Sequence, residues 1–202
     1  MSKKEKYEAL LPRLEALMEG EQDWTAAMAN FAAEVHETFG FFWTGFYRVT
    51  GGLLLLGPFQ GPVACTRIKY GRGVCGTAWK EKVTQVVPDV HLFPGHIACS
   101  SLSESEIVVP VFDDRNEVVA VLDIDSREKN TFDETDRVYL ERAVKFLPWA
   151  SSEAVCAKTS FAALSGSIPA FPRRGISSLT ECSRTIFRTL KTQQLWRQSA
   201  RQ

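Results

Sequence analysis

The sequence predicts an α+β fold, an antiparallel sheet with helices packed on it. Three observations lead there. Two segments with helical spacing of apolar residues come first, the hydrophobic period then shortens to that of strands, and two strand pairs are joined by short turns. Residues 3–19 place Tyr7, Leu10, Leu11, Leu14 and Leu17 on one helical face, with Pro12 expected to kink the helix or delay its start. Asp23 is a natural N-cap for a helix over about 24–38, with Ala27, Phe31, Ala32, Val35 and Phe39 turned inward. Residues 42–49 are aromatic and β-branched, as in a strand, and Gly51-Gly52 forms a hairpin turn into Leu53–Leu56. Residues 63–68 make a third strand, and Gly71 and Gly73 lead into a short helix near 74–82. From Pro88 to Ser105 the chain has no period, the mark of a long functional loop. Residues 106–112 and 117–125 pair across the polar turn 113–116, and a helix over about 133–147 stops at Pro148.

Composition narrows the function. Of the 202 residues, 45% are hydrophobic, enough for one substantial core. Residues 1–150 carry 16 Lys and Arg against 22 Asp and Glu, a net of −6, whereas 151–202 carry 8 against 2, a net of +6. An acidic body argues against nucleic acid as the main partner. The first residues have no apolar secretory core and no apolar run spans a bilayer, so a cytoplasmic protein without membrane contact is expected. Five cysteines in a reducing compartment act as catalytic, redox-active or inert thiols rather than structural disulfides. The domain reading is 1–152 as the folded unit and 153–202 as a basic, Ser- and Arg-containing, largely disordered tail with a short helix near 183–197.

The chemistry-bearing residues cluster in the middle of the chain. Cys75 lies near a helix start, where free backbone N–H groups favour a thiolate, and Cys99 lies in the long loop. Free cysteine also packs as a small apolar residue, and spacing alone leaves that reading open for Cys65, Cys75 and Cys99. Nine residues separate Cys65 from Cys75 and 23 separate Cys75 from Cys99, unlike the close pairs of closed zinc sites; His91 and His96 are therefore read as bonding backbone in the loop. Asp123 and Asp125 alternate along a strand and face one side, either as solvated carboxylates or as a cup for an ammonium group. Glu106 opens the neighbouring strand; on the same side, crowding would raise its pKa and keep a proton available. Trp43, Phe46 and Tyr47 are candidates for an apolar wall or for core.

These residues sit in segments that resemble a known family. TrpThrGlyPheTyr (43–47), GlnGlyProValAlaCys (60–65), GlyArgGlyValCysGlyThrAla (71–78), PheProGlyHisIleAlaCys (93–99), SerGluIleValValPro (105–110) and ValLeuAspIleAspSer (121–126) resemble the free methionine-(R)-sulfoxide reductases, each a single GAF domain. The resemblance covers about 20–148 and includes all three cysteines at the family's spacing. It departs at Ser100-Ser101, where the family usually has an aspartate after the cysteine.

The resemblance implies a GAF-like antiparallel sheet of about six strands flanked by helices. It implies an oxidoreductase that converts free methionine-R-sulfoxide to methionine with no metal or organic cofactor and serves in oxidative stress. Cys99 is then the attacking thiol, Cys65 the resolving partner in a redox-active disulfide, and Cys75 a secondary thiol. Glu106, Asp123 and Asp125 contact substrate, Glu106 also as proton donor; Trp43 and Tyr47 pocket the sulfoxide methyl. Thioredoxin is the implied reductant, and a homodimer through terminal helices fits the GAF pattern. The competing expectation is a GAF module that binds or senses a small molecule or redox state without turnover.

Overall fold

The computed structural model describes residues 1–97 and 100–148. Cys99, the expected boundary at 152/153 and the basic segment 153–202, with its expected helix near 183–197, lie outside the described residues. Helix α1 (Lys3–Met18) starts on a reciprocal cap: the Ser2 hydroxyl accepts from the Glu5 N–H, and the Glu5 carboxylate accepts from the Ser2 N–H. Pro12 neither delays nor ends it. Pro12 lies on the exposed face, where water can satisfy the Glu8 carbonyl that loses its N–H partner. Leu17, expected inward, is 42% exposed, and Met18 takes the buried position one turn beyond Leu14.

Helix α2 (Trp24–Phe39) is capped by Asp23, whose carboxylate accepts from the Ala26 N–H, and ends at Gly40 in the left-handed region. Strands β1 (Trp43–Thr50) and β2 (Leu53–Gln60) form a hairpin closed by Gly51 and Gly52, both at positive φ, as the tight turn with matching twist requires. Strand β2 outruns its expected end at Leu56 because β1 pairs with it as far as Gln60, while β3 (Arg67–Lys69) pairs only with Leu53–Leu55. Pro58 therefore sits on a free edge, where its missing N–H breaks no ladder. For the same reason the expected strand over 63–68 shrinks to three residues, and Val63 is exposed.

Helix α3 (Gly73–Glu81) follows, then β4 (Gln85–Val87), an edge strand too short to show periodicity. The long loop holds a 3₁₀ turn at Val90–Leu92, anchored by fully buried Val90. Strands β5 (Ser105–Phe112) and β6 (Val118–Ser126) pair as expected, their turn held by the Asp113 carboxylate accepting from the N–H groups of Arg115 and Glu117. Helix α4 (Glu134–Ala143) ends earlier than expected and tightens into a 3₁₀ turn over Val144–Phe146.

The six strands form one antiparallel sheet in the order β3-β2-β1-β6-β5-β4. Its two faces differ in kind. Phe46, Ile107, Val109, Leu122 and Ile124 point toward α1, α2 and α4 and make the larger core with Tyr7, Leu10, Leu14 and Phe31. Tyr7 stacks on Tyr139 and donates to the buried Asp136, which also receives Lys3, so α1 is tied to α4 by packing and charge together. The alternate residues, Trp43, Tyr47, Val108 and Val121, face α3, Cys75 and the long loop. That second face carries the chemistry.

Candidate active site

Register builds the site. Glu106 stands opposite Asp125 across β5 and β6, Val108 stands opposite Asp123, and Trp43 on β1 stands opposite Asp125. Glu106, Asp123, Asp125 and Trp43 therefore share the face covered by α3. Cys75, in the first turn of α3, is 4% exposed, with its Sγ 3.9 Å from Glu106 Oε1. Glu106 and Asp123 are each 6% exposed. Asp123 Oδ1 is buried with no hydrogen-bond partner among the described residues, the mark of an acceptor placed for something other than protein.

The electrostatics follow from this crowding. Burial, then the charges of Asp123 and Asp125, pushes the Glu106 carboxyl well above the ordinary carboxylate range. Burial and Asp125 do the same to Asp123. Asp125 rises to about 6 through burial, against a hydrogen bond with Ser103 that favours its charged form. Of the two readings left open for Cys75, burial holds: burial, then the charges of Asp123, Glu106 and Asp125, raises its thiol well above the ordinary value and outweighs the helix start. Cys65 is half-buried and, like Cys75, a free thiol.

Two small cavities meet at the aspartates. One, of about 30 Å³, is lined by Arg72, Gly73, Cys75, His96, Glu106 and the two aspartates. The other, of about 20 Å³, is lined by Trp43, Tyr47, Pro62, Ala64, Ser100 and the same two aspartates. Each has room for about one water. Ala64 and Ser100, chain neighbours of Cys65 and Cys99, thus border one chamber. A larger groove of about 570 Å³ lies elsewhere; two of its three cations are ion-paired, Lys82 with Glu117 and Arg137 with Glu134 and Glu141, and Lys145 is the third.

Sequence reasoning missed three lining residues. His96 and His91 were expected to bond backbone; instead His96 Nε2 is 4.0 Å from Glu106 Oε2 and His91 Nε2 is 3.5 Å from Glu104 Oε2. Burial and nearby His91 lower the His96 pKa. Ser103 meets Asp125, and Arg72 sits at the rim just before α3. The Gly-Arg-Gly run was the one available signal for Arg72; no local pattern marks His96 or Ser103. Phe46, weighed as wall or core, is core.

The aromatic wall depends on one missing side chain. The Trp43 ring folds back over Gly45, stacks on Phe59 and Tyr47, and donates its indole N–H to the Pro62 carbonyl at 3.0 Å. A Cβ on Gly45 would strike the Trp43 ring and Phe59 Cβ. Gly45→Ala is expected to destabilise the domain by about 1–3 kcal/mol through this overpacking. An unchanged urea midpoint would show that the ring moves aside freely.

The carboxyls also fix a pH signature. A raised folded-state pKa means that the folded chain binds more protons than the unfolded one. Stability is then lost as pH rises above the unfolded value near 4, until the folded pKa is passed. Asp123→Asn is expected to stabilise the domain at pH 8 by about 1–2 kcal/mol, with the gain disappearing below about pH 4. Thermal unfolding at both pH values checks this; a gain that persists at low pH would refute the linkage.

A curled antiparallel sheet, with a buried pocket between one face and a helix–loop cover, defines a small-molecule-binding α+β domain. Residues 21–145 match the GAF domain family. The chain is 56% identical over 147 residues to GAF domain-containing protein A of Dictyostelium discoideum, covering 72% of this chain and 92% of that protein. It is 43% identical over 162 residues to the free methionine-R-sulfoxide reductase of Escherichia coli, covering 80% and 94%. The crystal structure of free methionine-R-sulfoxide reductase from Neisseria meningitidis in complex with its substrate superposes with a TM-score of 0.71 at 52% identity, covering 73% of this chain and 89% of that one. The chain belongs to the GAF-domain family and, within it, to the free methionine-R-sulfoxide reductases. Among the described residues no helix is long and apolar enough to cross a membrane.

Proposed function

We propose that this chain reduces free methionine-R-sulfoxide to methionine with its own thiols and is recycled by thioredoxin. The observation that carries the reading is the buried acid cup of Glu106, Asp123 and Asp125 against the Trp43–Tyr47 wall, with one aspartate oxygen unpartnered among the described residues. An amino acid's ammonium group answers the aspartates, and its methyl sulfoxide answers the aromatic wall. The free N–H groups at the start of α3 and the Arg72 guanidinium suit its carboxylate. A peptide-bound residue lacks both charges and would leave the aspartates buried without a partner, which supports selection of the free amino acid.

In this mechanism the Cys99 thiolate attacks the sulfoxide sulfur. Protonated Glu106 donates to the sulfoxide oxygen, which is otherwise a poor leaving oxide. The oxygen ends on Cys99 as a sulfenic acid, and methionine departs with its sulfur reduced by two electrons. The Cys65 thiol then condenses with the sulfenic acid, forming a disulfide and releasing water. The dithiol of thioredoxin exchanges with that disulfide and restores both thiols. Cys75 serves as a secondary thiol.

Thioredoxin-coupled NADPH oxidation tests the reading with free R-sulfoxide, free S-sulfoxide and a peptide-bound sulfoxide in parallel. Turnover on the free R form alone is expected. Binding of the free R form without turnover would place the chain with GAF modules that sense rather than catalyse.

A further inference from the structure

The acid chamber gathers, from residues that substrate reduction uses one by one, a donor set of the kind that holds a metal ion. Cys75 Sγ, a Glu106 oxygen and an Asp123 oxygen all lie within 4.8 Å of one another. His96 Nε2 is 4.0 Å from Glu106 Oε2 and lines the same cavity. A thiol, an imidazole and two carboxyls are the ligand types that zinc takes in tetrahedral sites, with bonds of about 2.0–2.3 Å. Donors on such an ion sit roughly 3.3–3.8 Å apart by that geometry, so Cys75, Glu106 and Asp123 are already gathered, and His96, which stands outside that group beside Glu106, turns inward to close the set.

Two further observations point to a ligand there. Asp123 Oδ1 is buried and has no partner among the described residues. The chamber holds about 30 Å³, which suits a single ion and is far too small for an amino acid in this conformation. The other acid–histidine group, Asp89, His91 and Glu104, differs in both respects. It is more exposed, and Lys129 Nζ already supplies a cation 2.7 Å from Asp89.

We propose that the reduced protein binds one thiophilic divalent cation, zinc by preference, through Cys75, His96, Glu106 and Asp123, and that the bound ion inhibits by occupying the place of the substrate's ammonium group. The inhibition rests on the function proposed above; the binding does not. A thiolate and an imidazole favour zinc or cobalt over magnesium and calcium, which prefer all-oxygen shells. The ion brings two positive charges into a chamber whose acidic groups otherwise repel one another.

Cobalt(II) is the probe, because sulfur coordination gives a charge-transfer band and a tetrahedral site gives strong visible absorption. The full chain is used with Cys65, Cys99, Cys156 and Cys182 changed to serine, so that Cys75 is the one thiol left. One equivalent of cobalt is expected to raise both signals, and zinc to displace it while magnesium does not. Asp123→Asn and His96→Gln on this background are each expected to weaken binding at least tenfold. A missing sulfur band, or a band of full strength in Asp123→Asn, would overturn the site. Should the four-serine chain fail to fold, zinc titration of the unaltered reduced chain by calorimetry replaces it, with loss of the tight site in Cys75→Ser as the expected result and its survival as the refuting one. Turnover is assayed on the unaltered chain and binding on the four-serine chain, so cobalt binding alongside an inactive unaltered chain refutes the reductase reading alone. An active chain that binds none refutes this proposal alone.

Discussion

Cys99→Ser is expected to abolish steady-state reduction of free methionine-R-sulfoxide. Both the sulfoxide chemistry and what the fold does to the other thiols single out Cys99. A sulfur nucleophile must be ionised and reachable. Cys75 is 4% exposed, and burial with Asp123 and Glu106 drives its thiol toward the protonated form. It is a poor attacker, and Cys75→Ser is expected to lose least among the three cysteine variants. Cys65 is half-buried in the segment between β2 and β3, beside the chamber that Ala64 and Ser100 both line. Cys65→Ser is expected to release about one methionine per chain and then stall with thioredoxin, since the nucleophile acts but is not resolved. A rapid-quench count of methionine separates these outcomes. Normal steady-state rates in Cys99→Ser would remove the assignment.

Glu106→Gln is expected to lower kcat by about 10²–10⁴, the usual range for losing a positioned proton donor. The pH profile gives the sharper test. Glu106 is pushed well up, so its proton is present at neutral pH and activity falls as pH rises through its raised pKa. Asp125 titrates at about 6, so the ammonium cup loses charge and substrate binding weakens as pH falls below that value. The parent is expected to show a bell in kcat/KM with these two limbs, which belong to the coupled carboxyls as a group. In Glu106→Gln the alkaline limb should vanish while the acid limb remains. An alkaline limb that survives would assign the proton to another group, and His96 would be the next candidate at 4.0 Å.

The helices and the long strands were legible because each has a local cause. Asp23 before Trp24, the Gly51-Gly52 pair and the polar 113–116 turn act within a few residues of themselves. β4 was not legible, since three residues show no period and only pairing with β5 makes them a strand. Pro12 was read as a breaker, and β2 was expected to stop at Leu56 short of Pro58, because sequence does not say which side of a helix or sheet meets water. The one-face placement of Asp123 and Asp125 followed from strand alternation alone, whereas the facing of Glu106 needed the β5–β6 register.

The sequence by itself determined the α+β class, the order of the main elements, the acidic body and the residue set from Trp43 to Asp125. These depend on periodicity, turn chemistry and composition, which are properties of neighbours in the chain. Tertiary structure alone decided how those residues behave. It buried Cys75 against Glu106, which decided for the buried reading of a thiol whose helix start by itself favours ionisation. It brought the loop residue His96 beside the central carboxyl, and it left one oxygen of Asp123 without a partner among the described residues. Desolvation and charge repulsion act across space between residues far apart in the chain, so no reading of local pattern can supply them.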